Sequence, residues 1–129
     1  MIDNMIEQKY KNTFEDLFVW QESNNLFLEL YVIFSNKQFK DYFFRDQLLR
    51  AALSISNNIA EWYERETDKE FVRFLYIARG SCWESRNMII LAEKLKLVDD
   101  KDISKRKDSL IKISSWLKRL ISARMKNTK

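Results

Sequence analysis

From residue 14 onward, apolar side chains return every three or four positions and polar ones fill the gaps, while strict alternation is not sustained anywhere. A period near 3.6 collects apolar positions on one side of a helix, so the pattern predicts four helices and no sheet. The first is expected over about 14–35, opened by a Thr13 cap. Val19, Trp20, Leu26, Phe27, Leu30, Tyr31, Ile33 and Phe34 form its wide apolar stripe. Asn36-Lys37-Gln38-Phe39-Lys40 breaks it. Asp41 is the expected N-cap of a second helix over 41–63, where Leu48, Ala52, Ile55, Ile59 and Trp62 recur at steps of four, three, four and three. Thr67-Asp68-Lys69-Glu70 reads as a capping box that opens a third helix over 68–95. After the turn Leu97-Val98-Asp99-Asp100, with Asp99 or Asp100 as cap, a fourth helix is expected over 100–126. Its core positions are Ile103, Leu110, Ile113, Leu117, Leu120 and Ile121. Residues 1–13 are polar without a period and are expected to be a flexible N-terminal arm, and 127–129 a tail. Short connections make successive helices antiparallel neighbours, so the fold class is all-α, an antiparallel up-down four-helix bundle.

The third helix carries two apolar stripes. Phe71, Phe74, Ala78, Cys82, Ser85, Ile89 and Ala92 share one side and are assigned to the core. Val72, Tyr76, Trp83 and Ile90 lie roughly opposite, and a Trp- and Tyr-bearing second stripe points to an oligomer interface. Gly80 sits mid-helix at a cost, and with Ala78, Ser81, Cys82 and Ser85 it makes a small-residue patch suited to close approach of another chain segment. In the second helix, Ser54-Ile55-Ser56-Asn57-Asn58 places poor helix formers together. Two readings stand. The polar groups bond to their own backbone or a neighbouring helix, or Asn58 and Glu61 face Arg79 and Glu84 across a polar cluster.

Composition removes whole classes of chemistry. The 129 residues contain no proline, no histidine, one glycine and one cysteine. Without histidine there is no Ser-His-Asp or Cys-His nucleophile system, and the Glu-x-x-His pairs of ferritin-like metal bundles are missing. Glu61 and Glu84 read more simply as salt-bridge partners of Arg50 or Arg79 than as a catalytic pair. Asp99, Asp100 and Asp102 lack the glycine and terminal glutamate of a calcium loop. No catalytic residue, metal site or cofactor is expected. A single cysteine, no basic-then-apolar leader and no long uncharged apolar run fit a cytoplasmic protein without a membrane partner.

The net charge of +4 is unevenly spread. Residues 1–100 hold 13 basic and 17 acidic side chains; residues 101–129 hold 10 and 2, a net of +8. Lys101, Lys105, Lys112, Arg119 and Lys126 fall on one stripe of the fourth helix, a ladder of charge suited to nucleic-acid phosphates. Nothing in the chain specifies base readout.

Three segments resemble one family. These are Phe14-Glu15-Asp16-Leu17-Phe18-Val19-Trp20-Gln21; Asp46-Gln47-Leu48-Leu49-Arg50-Ala51-Ala52 with Ser54-Ile55 and Asn58-Ile59-Ala60-Glu61; and Glu70 through Ser81 with Glu84. Together they are similar to the four-helix-bundle proteins encoded within intervening sequences of bacterial 23S rRNA genes, also labelled S23 ribosomal proteins, over residues 14 to about 121. Where that family reads Ile-Pro-Ser-Asn-Ile-Ala-Glu-Gly in its second helix, this chain has Ser56, Asn57 and Trp62 for the proline, serine and glycine. The resemblance implies a cytoplasmic bacterial bundle that assembles as a ring-like homo-oligomer, a homopentamer. It also implies a relationship to the accessory variability protein of diversity-generating retroelements, a basic pentamer that binds nucleic acid and a reverse transcriptase. The leading expectation is a non-enzymatic, RNA- or DNA-binding oligomer with weak sequence preference; the alternative is a protein-interaction scaffold.

Overall fold

The first helix begins four residues later than the expected start at residue 14. In a computed structural model, which describes residues 14–36, 39–65 and 72–126, Phe14–Asp16 form one 3-10 turn and Leu17 is extended (φ −74°, ψ 126°). Helix α1 therefore runs Phe18–Phe34. Leu17 has no capping side chain. The turn is held instead by its amide donating to the Phe14 carbonyl (3.0 Å) and by Gln21 Nε2 donating to the Glu15 carbonyl (2.9 Å). The N-terminal arm, the Thr13 cap, the Thr67–Glu70 capping box, Phe71 and the 127–129 tail lie outside the described residues.

Three more helices follow: α2 Tyr42–Glu64, α3 Val72–Lys94 and α4 Asp100–Lys126. No strand occurs among the described residues. Asp41 starts α2 as an N-cap, its Oδ1 accepting from the Phe44 amide at 3.1 Å. α3 ends in a Schellman motif: the Leu97 amide donates to the Ala92 carbonyl (2.9 Å) and the Lys96 amide to the Glu93 carbonyl (3.0 Å). This closure requires a left-handed residue, and Lys96 supplies it at φ 60°.

Each helix packs on the next and α4 returns to α1, which makes a four-helix bundle. Its core is a column of solvent-free side chains: Leu26, Leu30 and Phe34 from α1, Leu48, Ile55 and Ile59 from α2, Leu75 and Ile89 from α3, and Ile103, Leu110, Ile113 and Leu117 from α4. Phe39, in the α1–α2 connection, is also buried and meets Phe34 edge-on at 5.2 Å. Several apolar positions of the predicted stripes are not fully buried, Trp20, Phe27 and Ile33 among them. Tyr31 is 53% exposed, because it lies one helical step (about 100°) past Leu30, outside the buried arc of Val19, Ser23, Leu26, Leu30 and Phe34. Phe74 is half-buried and Leu75 takes the core position beside it, while Leu120 is also half-buried. Ser23 sits in the core because its hydroxyl donates to the Val19 carbonyl at 2.7 Å.

The glycine and the left-handed cap are at different places, which predicts two stabilising substitutions. A Cβ built at Gly80 meets nothing within 4 Å among the described residues, so Gly80 itself serves no close approach there, while Ala78, Ser81, Cys82 and Ser85 of the same patch are buried against the neighbouring helices. Gly80→Ala should stabilise by about 1 kcal/mol through helix propensity. Lys96→Gly should add about 0.5–1 kcal/mol by removing the left-handed Cβ strain. The two sites share no partner, so urea melts of the double variant should show their sum. A fall in stability for Gly80→Ala would mean that something outside the chain packs against Gly80.

Candidate nucleic-acid interface

Spacings of four, seven, seven and seven residues keep Lys101, Lys105, Lys112, Arg119 and Lys126 within about 60° around α4. All five are exposed, while Ile103, Leu110, Ile113, Leu117 and Ile121 bury the opposite side. None of the five forms an ion pair with a described residue. Exposed Asp108 interrupts the row between Lys105 and Lys112. Arg106 is turned away from it: its Nε lies 3.0 Å from Glu29 Oε2, an ion pair that ties α4 to α1, and its Nη1 donates to the Asp102 carbonyl at 3.4 Å.

Two of the five cations lie against aromatic rings that sequence reasoning missed. Phe18, at the start of α1, and Trp116 of α4 pack with centroids 5.4 Å apart, tilted by 58°, and remain 43% and 40% exposed. Lys112 Nζ is 5.1 Å from the Phe18 ring centroid, and Arg119 Cζ is 5.4 Å from that of Trp116. The available signal is Trp116 four residues after Lys112 and three before Arg119, the spacings at which helical side chains meet. Phe18 has no such signal, since it arrives from another helix.

The expected α3 interface residues are not equivalent. Tyr76 and Trp83 are half-exposed, whereas Val72 and Ile90 are partly buried and Val72 packs on the core. Exposed Ile77 and Leu91 lie on the same helix. Arg79 covers the Trp83 ring, its Cζ 4.9 Å from the centroid.

No hydrogen bond or ion pair joins the four residues of the expected polar cluster to one another. Asn58 Nδ2 donates within its own helix, to the Ser54 carbonyl (2.7 Å) and hydroxyl (3.0 Å), and Ser81 of α3 donates to that same hydroxyl at 2.9 Å. Glu61 pairs with Arg65, one turn on, at 2.9 Å rather than with Arg50 or Arg79. Arg79 stacks on Trp83 and Glu84 is exposed. Poor helix formers in α2 are thus accommodated by local bonds and one interhelical bond.

Cys82 is buried, and desolvation pushes its thiol up to about 12, with Arg79 and Arg86 pulling weakly the other way. A raised acid pKa stabilises the fold fully below the unfolded value near 9, and that share is lost as pH rises towards 12. The stability gap between wild type and Cys82→Ala should therefore narrow in urea melts as pH rises from 8 to about 10.5. The native thiol should also resist alkylation at pH 8.

A concavity of about 740 Å3 lies where the α1–α2 and α3–α4 connections meet, lined by Phe39, Glu93, Lys96, Asp99 and Asp102 among others. Among the described residues no group of three His, Cys, Asp or Glu side chains could hold a metal ion. No helix among them is long and apolar enough to cross a membrane.

The sequence profile of the 23S rRNA-intervening sequence proteins matches residues 15–119. The chain belongs to that family. No curated protein matches it. The family match takes in Phe18, Trp116 and every cation of the α4 row except Lys126. In this 23S rRNA-intervening sequence protein, Trp62 is buried against Tyr63 (6.2 Å between centroids) and the Arg124 guanidinium (5.4 Å).

Proposed function

We propose that the chain is a non-enzymatic, oligomeric nucleic-acid-binding protein that meets RNA phosphates along the outer face of α4, with little sequence preference. The observation that carries this reading is the row of five exposed cations, unpaired within the described residues, on the helix that opens the chain's net +8 segment. Successive steps of seven residues rise about 10.5 Å, so the row can follow a backbone but presents no convergent donors to read base edges. A cytoplasmic, bacterial setting belongs to the same reading, and a single buried cysteine fits a reducing compartment. In an anisotropy titration with generic RNA, log K should fall linearly with log salt, and unrelated sequences should bind alike. No binding by wild type at about 50 mM salt would overturn it.

The bundle is read as up-down and antiparallel. Phe18 near the start of α1 meets Trp116 late in α4, and Glu29 farther along α1 meets Arg106 early in α4, which supports opposite directions for the two helices. Assembly into a ring, a homopentamer by family resemblance, is part of the proposal. Its support is the apolar outer surface of α3, with Tyr76, Ile77, Trp83 and Leu91 exposed. A ring would repeat the basic row and raise avidity. Wild type should be oligomeric at micromolar concentration by light scattering, and Trp83→Glu should shift it towards monomer by placing a charge in an apolar contact. A monomeric wild type would end the ring reading. The same α3 surface favours a second reading, a protein-interaction scaffold, whose binding would be nearly indifferent to salt.

A further inference from the structure

Charge alone does not account for the rings beside the α4 row. Phe18 and Trp116 are large apolar groups that pair at the surface where α1 meets α4, instead of entering the core. Each has a cation of the row against it, Lys112 on Phe18 and Arg119 on Trp116. Along the α4 axis Trp116 lies about 6 Å from Lys112 and about 4.5 Å from Arg119, so both charges fall within the span of a nucleotide stacked on the rings. Cations and rings so interleaved offer two different contacts, one to phosphate and one to the face of a base. A duplex keeps its base faces stacked inside; a single strand presents them.

We infer that Phe18 and Trp116 form a base-stacking platform which, with Lys112 and Arg119 on the neighbouring phosphates, makes this face selective for single-stranded nucleic acid over duplex. The inference rests on the nucleic-acid reading of α4. An exposed cation–π contact is weaker than a stacked base, so an incoming base displaces the cation from its ring. The freed guanidinium or ammonium then turns to the adjacent phosphate, where its contact is charge-assisted. Glu15, exposed in the turn before Phe18, opposes phosphate there, so the strand follows the α4 row and not that turn.

Anisotropy titrations with an oligothymidylate about 12 nucleotides long, a duplex of equal length and an abasic oligomer of equal length test this. Wild type should favour the oligothymidylate over both other probes by about ten-fold. Trp116→Ala should remove that preference, weakening oligothymidylate binding roughly ten-fold and leaving duplex binding within about two-fold, and Trp116→Phe should restore most of it. Lys112→Glu with Arg119→Glu should weaken all three probes. Phe18→Ala, at an exposed helix start, carries the same expectation if Trp116→Ala fails to keep its helical circular dichroism. Equal losses on all probes, or no loss, in a folded Trp116→Ala protein would overturn the platform while the phosphate reading stands. No binding of any probe by wild type would overturn both.

Discussion

Reversing Lys105, Lys112 and Arg119 together to glutamate should reduce RNA affinity by roughly two to three orders of magnitude at low salt. The three positions lie on the outer face of α4, and none pairs with a described carboxylate, so each is free to neutralise a phosphate. Replacing them changes the local charge by about six units, turning attraction into repulsion along the row. The salt slope should also fall, by about 0.7–0.9 for each phosphate contact removed. Helicity should survive, because the neighbouring core positions Leu110, Ile113 and Leu117 point the other way. The fold should lose only the two surface contacts to Phe18 and Trp116, about 0.5–1 kcal/mol each. Circular dichroism and light scattering on the same sample separate lost binding from lost structure. Unchanged affinity and slope in a folded triple variant would move the phosphate contact elsewhere.

The largest stability effect is expected at Trp62. Its side chain is 5% exposed and closes one region of the core between Tyr63 and Arg124. Trp62→Ala removes most of an indole from a packed site, which costs about 3–5 kcal/mol through lost transfer energy and the cavity left behind. For a chain of this size that is a fall in melting temperature of roughly 10–20 °C. Trp62→Gly should cost about 1 kcal/mol more, because glycine is a poor helix former. A loss under about 1 kcal/mol for Trp62→Ala would mean that Arg124 and its neighbours collapse into the space.

Helical periodicity suffices to find most of the core. Leu48, Ala52, Ile55, Ile59 and Trp62 of α2, and Ile103, Leu110, Ile113, Leu117 and Ile121 of α4, are all buried as their spacing requires. A helix converts sequence steps directly into faces, so one dimension carries the information. The Asp41 cap is legible for the same reason, since its partner amide is three residues away. So is the outward basic row of α4, whose members share one helix.

Width of a buried arc is not carried in that way. Tyr31 and Phe74 lie beside core residues on the helical wheel, and only the position of the neighbouring helices leaves the one exposed and the other half-covered. Polar residues of α2 satisfy themselves through Ser54 and Ser81 rather than meeting Arg79 and Glu84, a choice set by where α3 lies against α2. Periodicity and charge, being properties of one helix at a time, are fully present in the chain: four amphipathic helices and a basic edge. The pairing of Phe18 with Trp116, and with it the rings under Lys112 and Arg119, joins residues at opposite ends of the described chain. It exists only once α1 and α4 are packed side by side, because a contact between helices has no spacing in either one.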